Sequence, residues 1–530
     1  GRTLTISGTT FTNNASVNAT AGTTSIAPTT FTNAAAGTLT ATGASTILTI
    51  GNSSTTWTSP GAISLNTATV NLGGTFNSLN TSGLSRTGGT LNLTGSFNNP
   101  GVLALTASTG SLRLNGGTIN NGSVTYAGGS ALTFANTDST LNNVAVNGEL
   151  FLNETSATAT IRGTTTFTGV RLAGGSSRIS FTQATYTLSV PIIAEGPGTG
   201  ARTVTFGVGI ASTVTIASSG SIVALAGTGG ININQSSLST LVNNGLISNS
   251  SDGSSNSIAV NVFTNNGTLE VLGLNASLNL NSTPTLTNFS AGTLTGGVWI
   301  ARNGSDFFTS TGGNITTIAN ATVELSGTNA RWDQLLTLST IASNASFTLD
   351  ANADLTFTPA GGTFLNNGQL TLGEGSTLSV NGAVTLAPGS TLNVQAAGVS
   401  ETTGFGRVVA TGVLTLGGSF AFTEVNGFNA TYFDNFEFGV GSSRVGTFSS
   451  ISLPVPLVDG KNFMIYTTNS VKVAISAIPD FNEDGLVDFF DYLDFVDRWS
   501  NDDPSGDFNG DGSVDFFDFL DFADYFSRFA

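Results

Sequence analysis

The chain is 530 residues long, only 9% of it is charged, and its formal net charge is −17. It contains no cysteine and no histidine, which excludes disulfide stabilisation, thiolate or imidazole chemistry and Ser-His-Asp catalysis. Its 15 basic residues form no cluster, and no run approaches the ~20 apolar residues of a bilayer span, so nucleic acid, anionic lipid and a membrane are poor partners.

The first residues, from Gly1 through Thr12, alternate like a strand, with no signal peptide ahead of them. The expectation is a processed, secreted chain whose first coil is open at its edge. Short runs rich in Thr, Val, Leu, Ile and Phe then alternate with Gly, Asn and Ser, and no helical period competes with them. Phe97-Asn98-Asn99, Ile119-Asn120-Asn121 and Leu141-Asn142-Asn143 recur every 22 residues, and Leu241, Phe263 and Leu286 follow at steps of 22 and 23. A period of that length predicts one coil of a parallel β-solenoid, with Leu, Ile, Val and Phe inside and asparagines stacked in ladders. Thr-x-Thr pairs, Thr293-Leu294-Thr295 among them, show no repeat at the coil period. The stretches Thr285–Gly297 and Leu370–Val380 resemble segments of secreted bacterial β-helix adhesins and autotransporter passengers, which implies a passive surface or matrix role without specifying a ligand; polysaccharide contact is a separate expectation.

Acids in this body stand singly, at Asp138, Glu149, Glu154, Glu195, Asp252 and Glu270, where a glycosidase needs a facing pair. Arg331-Trp332-Asp333, beside Glu324, reads as a turn ion pair over a packed tryptophan. No enzyme is expected; a polysaccharide-degrading one is the reading these acids disfavour. From Gly398 aromatics concentrate, Leu453-Pro454-Val455-Pro456 breaks the pattern, and Lys461 to Ser476 predicts a final hairpin. This segment is expected to cap the solenoid.

The last 51 residues carry 15 of the 32 acids against Arg498 and Arg528, a formal −13. Asp480 to Trp499 recurs as Asp507 to Phe526, with 14 of 20 positions identical. Oxygen side chains fall at positions 1, 3, 5, 9 and 12 with glycine at 6, the spacing by which a 12-residue loop wraps one Ca²⁺. The first loop offers Asp480, Asn482, Asp484, the carbonyl of Leu486, Asp488 and Asp491. The second offers Asp507, Asn509, Asp511, the carbonyl of Ser513, Asp515 and Asp518. Two Ca²⁺ ions are therefore expected. Asp in place of Glu at position 12, one helix after each loop and the tandem arrangement together resemble the dockerin modules of secreted bacterial proteins. That resemblance implies a cohesin-like partner, although Phe489-Phe490 and Phe516-Phe517 stand where dockerins often carry small polar residues.

Around the helix after each loop the apolar side chains sweep roughly 220°, more than one packing stripe. Phe489, Tyr492, Phe495, Trp499, Phe516, Phe519, Phe522 and Phe526 are the expected partner-binding residues. The whole predicts an all-β fold: a right-handed parallel β-solenoid of about 22 residues per coil over 1–397, an aromatic β cap over 398–478, and a small α-helical dockerin-like calcium module over 479–530. The expected function is a non-enzymatic extracellular structural subunit that joins copies head to tail into fibres. The alternative is a surface adhesin or scaffold subunit held by a separate cohesin-like receptor.

Overall fold

The computed structural model describes residues 2–198, 200–235, 239–280, 285–308 and 313–530. Gly1, the start of the expected first strand, lies outside the described residues. Apart from helices α1 (Phe489–Ser500) and α2 (Phe516–Phe529) and two 3-10 turns, the described elements are short strands. The chain divides into two compact units, Gly1–Thr287 with Phe308–Thr311 and Asn288–Phe307 with Gly312–Ala530. Parallel coils build both.

In the first unit a coil is three strands and their turns. Thr23–Ile26, Thr30–Asn33 and Thr38–Thr42 lie parallel to Ile47–Ile50, Thr56–Ser59 and Ala62–Asn66 of the next coil. Alternation explains each strand: in Thr30–Asn33, Phe31 and Asn33 are buried while Thr30 and Thr32 face outward. Threonine suits the outer face because its branched Cβ favours extended backbone and its hydroxyl meets water.

The inward residues stack coil on coil. Phe11 lies over Phe31 with ring centroids 5.6 Å apart, Trp57 over Phe76 at 4.1 Å, and Phe76 over Phe97 at 4.8 Å. Ile119, Leu141 and Ile161 continue that rank in register. The expected asparagine ladder is present: Asn142 Nδ2 donates to Asn120 Oδ1 (3.0 Å) and Asn120 Nδ2 to Asn98 Oδ1 (3.1 Å). At the turn after Asn120, Asn121 and Gly122 take φ of 64° and 65°, left-handed values these two residue types tolerate best.

Coil length is not constant. Thr3 faces Thr23, whereas Val214 faces Leu241, a longer step along the chain. The strands keep register and the turns absorb the difference. Thr10 and Thr12 face Thr30 and Thr32, which face Thr56 and Thr58, at unequal steps along the chain. Thr293 and Thr295 face Thr317 and Ala319, so that pair does not recur in the next coil.

In the second unit the rank Val298–Arg302, Thr322–Ser326, Ser346–Asp350, Gln369–Leu372, Thr391–Ala396, Ser419–Glu424 and Ser450–Ser452 is parallel throughout. Parallel pairing thus crosses residues 397 and 398, where the sequence suggested a boundary. The ladder changes sense later: Asn435–Val440 and Gly460–Tyr466 flank Ser470–Ala477 antiparallel on either side. That last hairpin carries the C-terminal helices.

Candidate functional site

The two C-terminal repeats fold alike because short acids bond backward and forward to their own backbone. In the first, Asp480 accepts hydrogen bonds from the N–H groups of Asp484 (3.2 Å) and Gly485 (3.1 Å). Asn482 Oδ1 accepts from Asp484 (2.9 Å) and Asp484 from Leu486 (3.0 Å). Asp491 closes the loop, taking the N–H groups of Phe481 (2.6 Å), Asn482 (3.0 Å) and Asp488 (2.8 Å). Asp488 in turn accepts from Phe490 (2.8 Å), so the ninth and twelfth loop residues form the capping box of α1.

The second loop repeats this pattern. Asp507 accepts from Asp511 (3.1 Å) and Gly512 (2.8 Å), Asn509 from Asp511 (2.9 Å), and Asp511 from Ser513 (2.9 Å). Asp518 accepts from Phe508 (2.8 Å), Asn509 (3.1 Å) and Asp515 (2.8 Å), and Asp515 caps α2 through Phe517 (2.8 Å). Gly485 and Gly512 make the sharp bend at φ of 94° and 90°, which a side chain would strain.

Among the described residues no three acidic side chains converge into a group able to hold a metal ion. The donor chemistry nevertheless fits a hard cation. Asp480 and Asp491 are fully buried, and each carries two oxygens that water cannot reach freely. Burial pushes the Asp480 carboxyl above the ordinary carboxylate range and the neighbouring Asp491 adds to the push, while the Lys461 ammonium opposes it without cancelling it. Adjacent buried carboxylates call for a proton or a cation. On Asp518 burial acts in the same direction, but the N–H groups of Asp515, Asn509 and Phe508 outweigh it and hold the carboxyl below the usual range.

The first loop rests on the final hairpin. Lys461 donates to the carbonyl of Asp480 and stands 3.7 Å from the Glu483 carboxylate. Tyr525 Oη of α2 donates to Asp459 (3.2 Å), Arg528 lies 3.7 Å from the same carboxylate, and Phe529 packs edge-on against Tyr432. A cleft of about 610 Å³ between the loops is lined by Lys461, Phe481, Glu483, Asp494, Arg498 and Asp507.

The structure redistributes the expected partner-binding aromatics. Phe495 and Phe522 are fully buried between the helices and present nothing outward. Tyr492, Trp499, Phe519 and Phe526 are half-buried and pack across the repeat, Trp499 on Phe519 at 5.4 Å and Tyr492 on Phe526 at 6.1 Å. Phe489 and Phe516 do face solvent, joined by Phe490, Phe517, Leu493 and Leu520, which the sequence-based list omits. Phe490 and Leu493 lie roughly 140° and 160° around the helix from Phe495, so they turn outward once the stacked ring pair fixes Phe495 as the inward residue.

Among the acids of the body, Glu149 and Glu195 both hold Arg171 at 3.1 Å, and Arg302 holds Glu324 at 2.7 Å. Arg331 reaches Asp306 at 2.9 Å and Asp333 at 3.8 Å, with Trp332 buried beneath; Glu324 takes no part. No protein-family model and no curated protein matches the chain. No helix among the described residues is long and apolar enough to cross a membrane.

Proposed function

We propose that this is a non-enzymatic, extracellular structural subunit: a parallel β-solenoid with a C-terminal dockerin-like module that folds around two Ca²⁺ and joins the solenoid to another protein surface. The observation that carries the reading is the repeat itself. Two loops with matching hydrogen bonds each present a Phe-Phe pair, Phe489-Phe490 and Phe516-Phe517, to solvent at equivalent positions. Exposed aromatics in a fixed, duplicated frame are what a docking surface needs.

Asp480, Asn482, Asp484 and Asp491 would hold one ion, and Asp507, Asn509, Asp511 and Asp518 the other, with Asp488, Asp515 and the carbonyls of Leu486 and Ser513 completing the oxygen sets. Calcium there would neutralise carboxylates that otherwise repel one another in a tail of formal charge −13. An extracellular setting suits such loops, because calcium is plentiful there. The non-enzymatic reading is supported by Glu149, Glu195, Asp306 and Glu324, which are tied to arginines of neighbouring coils.

Docking onto the solenoid of a second copy would build fibres; docking onto a separate receptor would make the chain an adhesin or scaffold subunit. Calorimetric calcium titration of the full chain, with hydrogen exchange of α1 and α2 followed alongside, tests the metal reading. Two binding events and calcium-dependent protection are expected. A chain that takes up no calcium and keeps both helices equally protected in chelator would end it.

A further inference from the structure

The geometry points to a separate protein as the partner, one presenting an apolar pocket rimmed by lysine and arginine, rather than to a second copy of this chain. This rests on the proposed docking role of the C-terminal module. Phe490 and Phe517 are each 64% exposed, and Leu493 and Leu520 each 45%, so both helices carry the same small apolar patch. One helical turn further along, on the same face, stand acids: Asp494 after Phe490, Asp497 after Leu493, and Asp521 and Asp524 after Phe517 and Leu520. All four are exposed. Each patch is therefore greasy at its centre and acidic at its edge, with Asp524 alone among the four paired to an arginine of the described residues, Arg528.

Two calcium ions would lower the tail's formal −13 without reversing it, so the surface stays anionic when loaded. Complementary surfaces pair opposite charge around a desolvated aromatic centre, and like charge at the rim is penalised. The rest of this chain offers little opposite charge, since its exposed Arg2, Arg162 and Arg178 stand on separate segments and form no basic cluster. Its 13 remaining basic residues face 17 acids. Arg113, Arg171, Arg302, Arg331 and Arg407 are already engaged in ion pairs, and Arg202 is fully buried under backbone carbonyls. A second copy would bring a negative rim to a nearly neutral, slightly acidic surface.

The test uses the full chain in millimolar calcium with two helical peptide probes that share one Leu/Phe face, one rimmed by lysine and the other by glutamate. Fluorescence anisotropy should show binding at least about tenfold tighter to the lysine-rimmed peptide, weakening as salt rises. The double variant Phe490→Ser/Phe517→Ser keeps every charge and should lose about tenfold of that binding, with the calcium-loaded melt unchanged as the check on folding. Equal affinity for both peptides would overturn the inference, as would a serine variant that binds unchanged. So would concentration-dependent self-association of the chain in sedimentation velocity without binding to either peptide. Calcium uptake is measured on the same samples: its absence defeats the metal reading alone, and the peptide comparison still decides the partner.

Discussion

The rings of Phe495 in α1 and Phe522 in α2 stack with centroids 4.0 Å apart and planes 8° from parallel. They occupy the same position in the two copies of the repeat, so the module is built as two halves meeting at one ring pair. Phe481 and Phe508 close the pair edge-on, at 5.5 Å from Phe495 and 5.4 Å from Phe522. That cluster is the module's core, and it decides which other aromatics are left outside.

Removing one of the stacked rings should therefore unfold the module, and removing an outer ring should not. Phe495→Ala is expected to cost ~3–5 kcal/mol and Phe490→Ser within about 0.5 kcal/mol, the difference between a buried and an exposed site. Hydrogen exchange of the α1 amides in calcium measures both; equal losses would contradict the assigned core.

Each loop should take up its own ion. Asp480→Ala should remove one of the two expected binding events, Asp507→Ala the other, and the double variant both. Titration calorimetry reads the stoichiometry, and an unaltered count in either single variant would refute that loop's assignment.

Asp459 ties α2 to the final hairpin through Tyr525 and Arg528. These are partly exposed contacts, so Asp459→Ala should cost about 1 kcal/mol or less. Its signature is positional: faster exchange at the end of α2 and in Gly460–Tyr466, with the solenoid coils unaffected.

Stability of the second unit should depend on pH through Asp306. Burial raises its carboxyl above the ordinary range, against the opposing pull of Arg331. A folded-state value above the unfolded one, near 3.9, means the stabilisation is fully present below that value. It is lost as pH rises through the raised folded value. Asp306→Asn should flatten this slope, read by denaturant unfolding with the fluorescence of buried Trp299 and Trp332. A variant that keeps the full slope would show that another group carries it.

In the first unit Trp57 is sandwiched between Phe31 and Phe76 and donates its indole N–H to the carbonyl of Gly73 (2.7 Å). Trp57→Ala should cost ~3–5 kcal/mol, combining a cavity with a stranded carbonyl. Protease cleavage is expected to begin in the adjacent coils, and cleavage confined to distant coils would argue against this stack as a local keystone.

The solenoid was legible because its rule is local. Successive coils repeat short strands of one pattern, several closed by an asparagine as at Asn98, Asn120 and Asn142, and stacking like on like needs no information from elsewhere in the chain. The doubled loops and their glycines at Gly485 and Gly512 were legible for the same reason: acids within a few residues of one another bond to nearby N–H groups whatever surrounds them. Tertiary structure alone decided where the parallel ladder ends, at Ser450–Ser452, and which aromatics face water. Phe490 and Phe495 look equivalent in the chain. One is exposed and the other buried because burial depends on where a second helix and a hairpin come to lie, and those contacts join residues the local pattern does not relate.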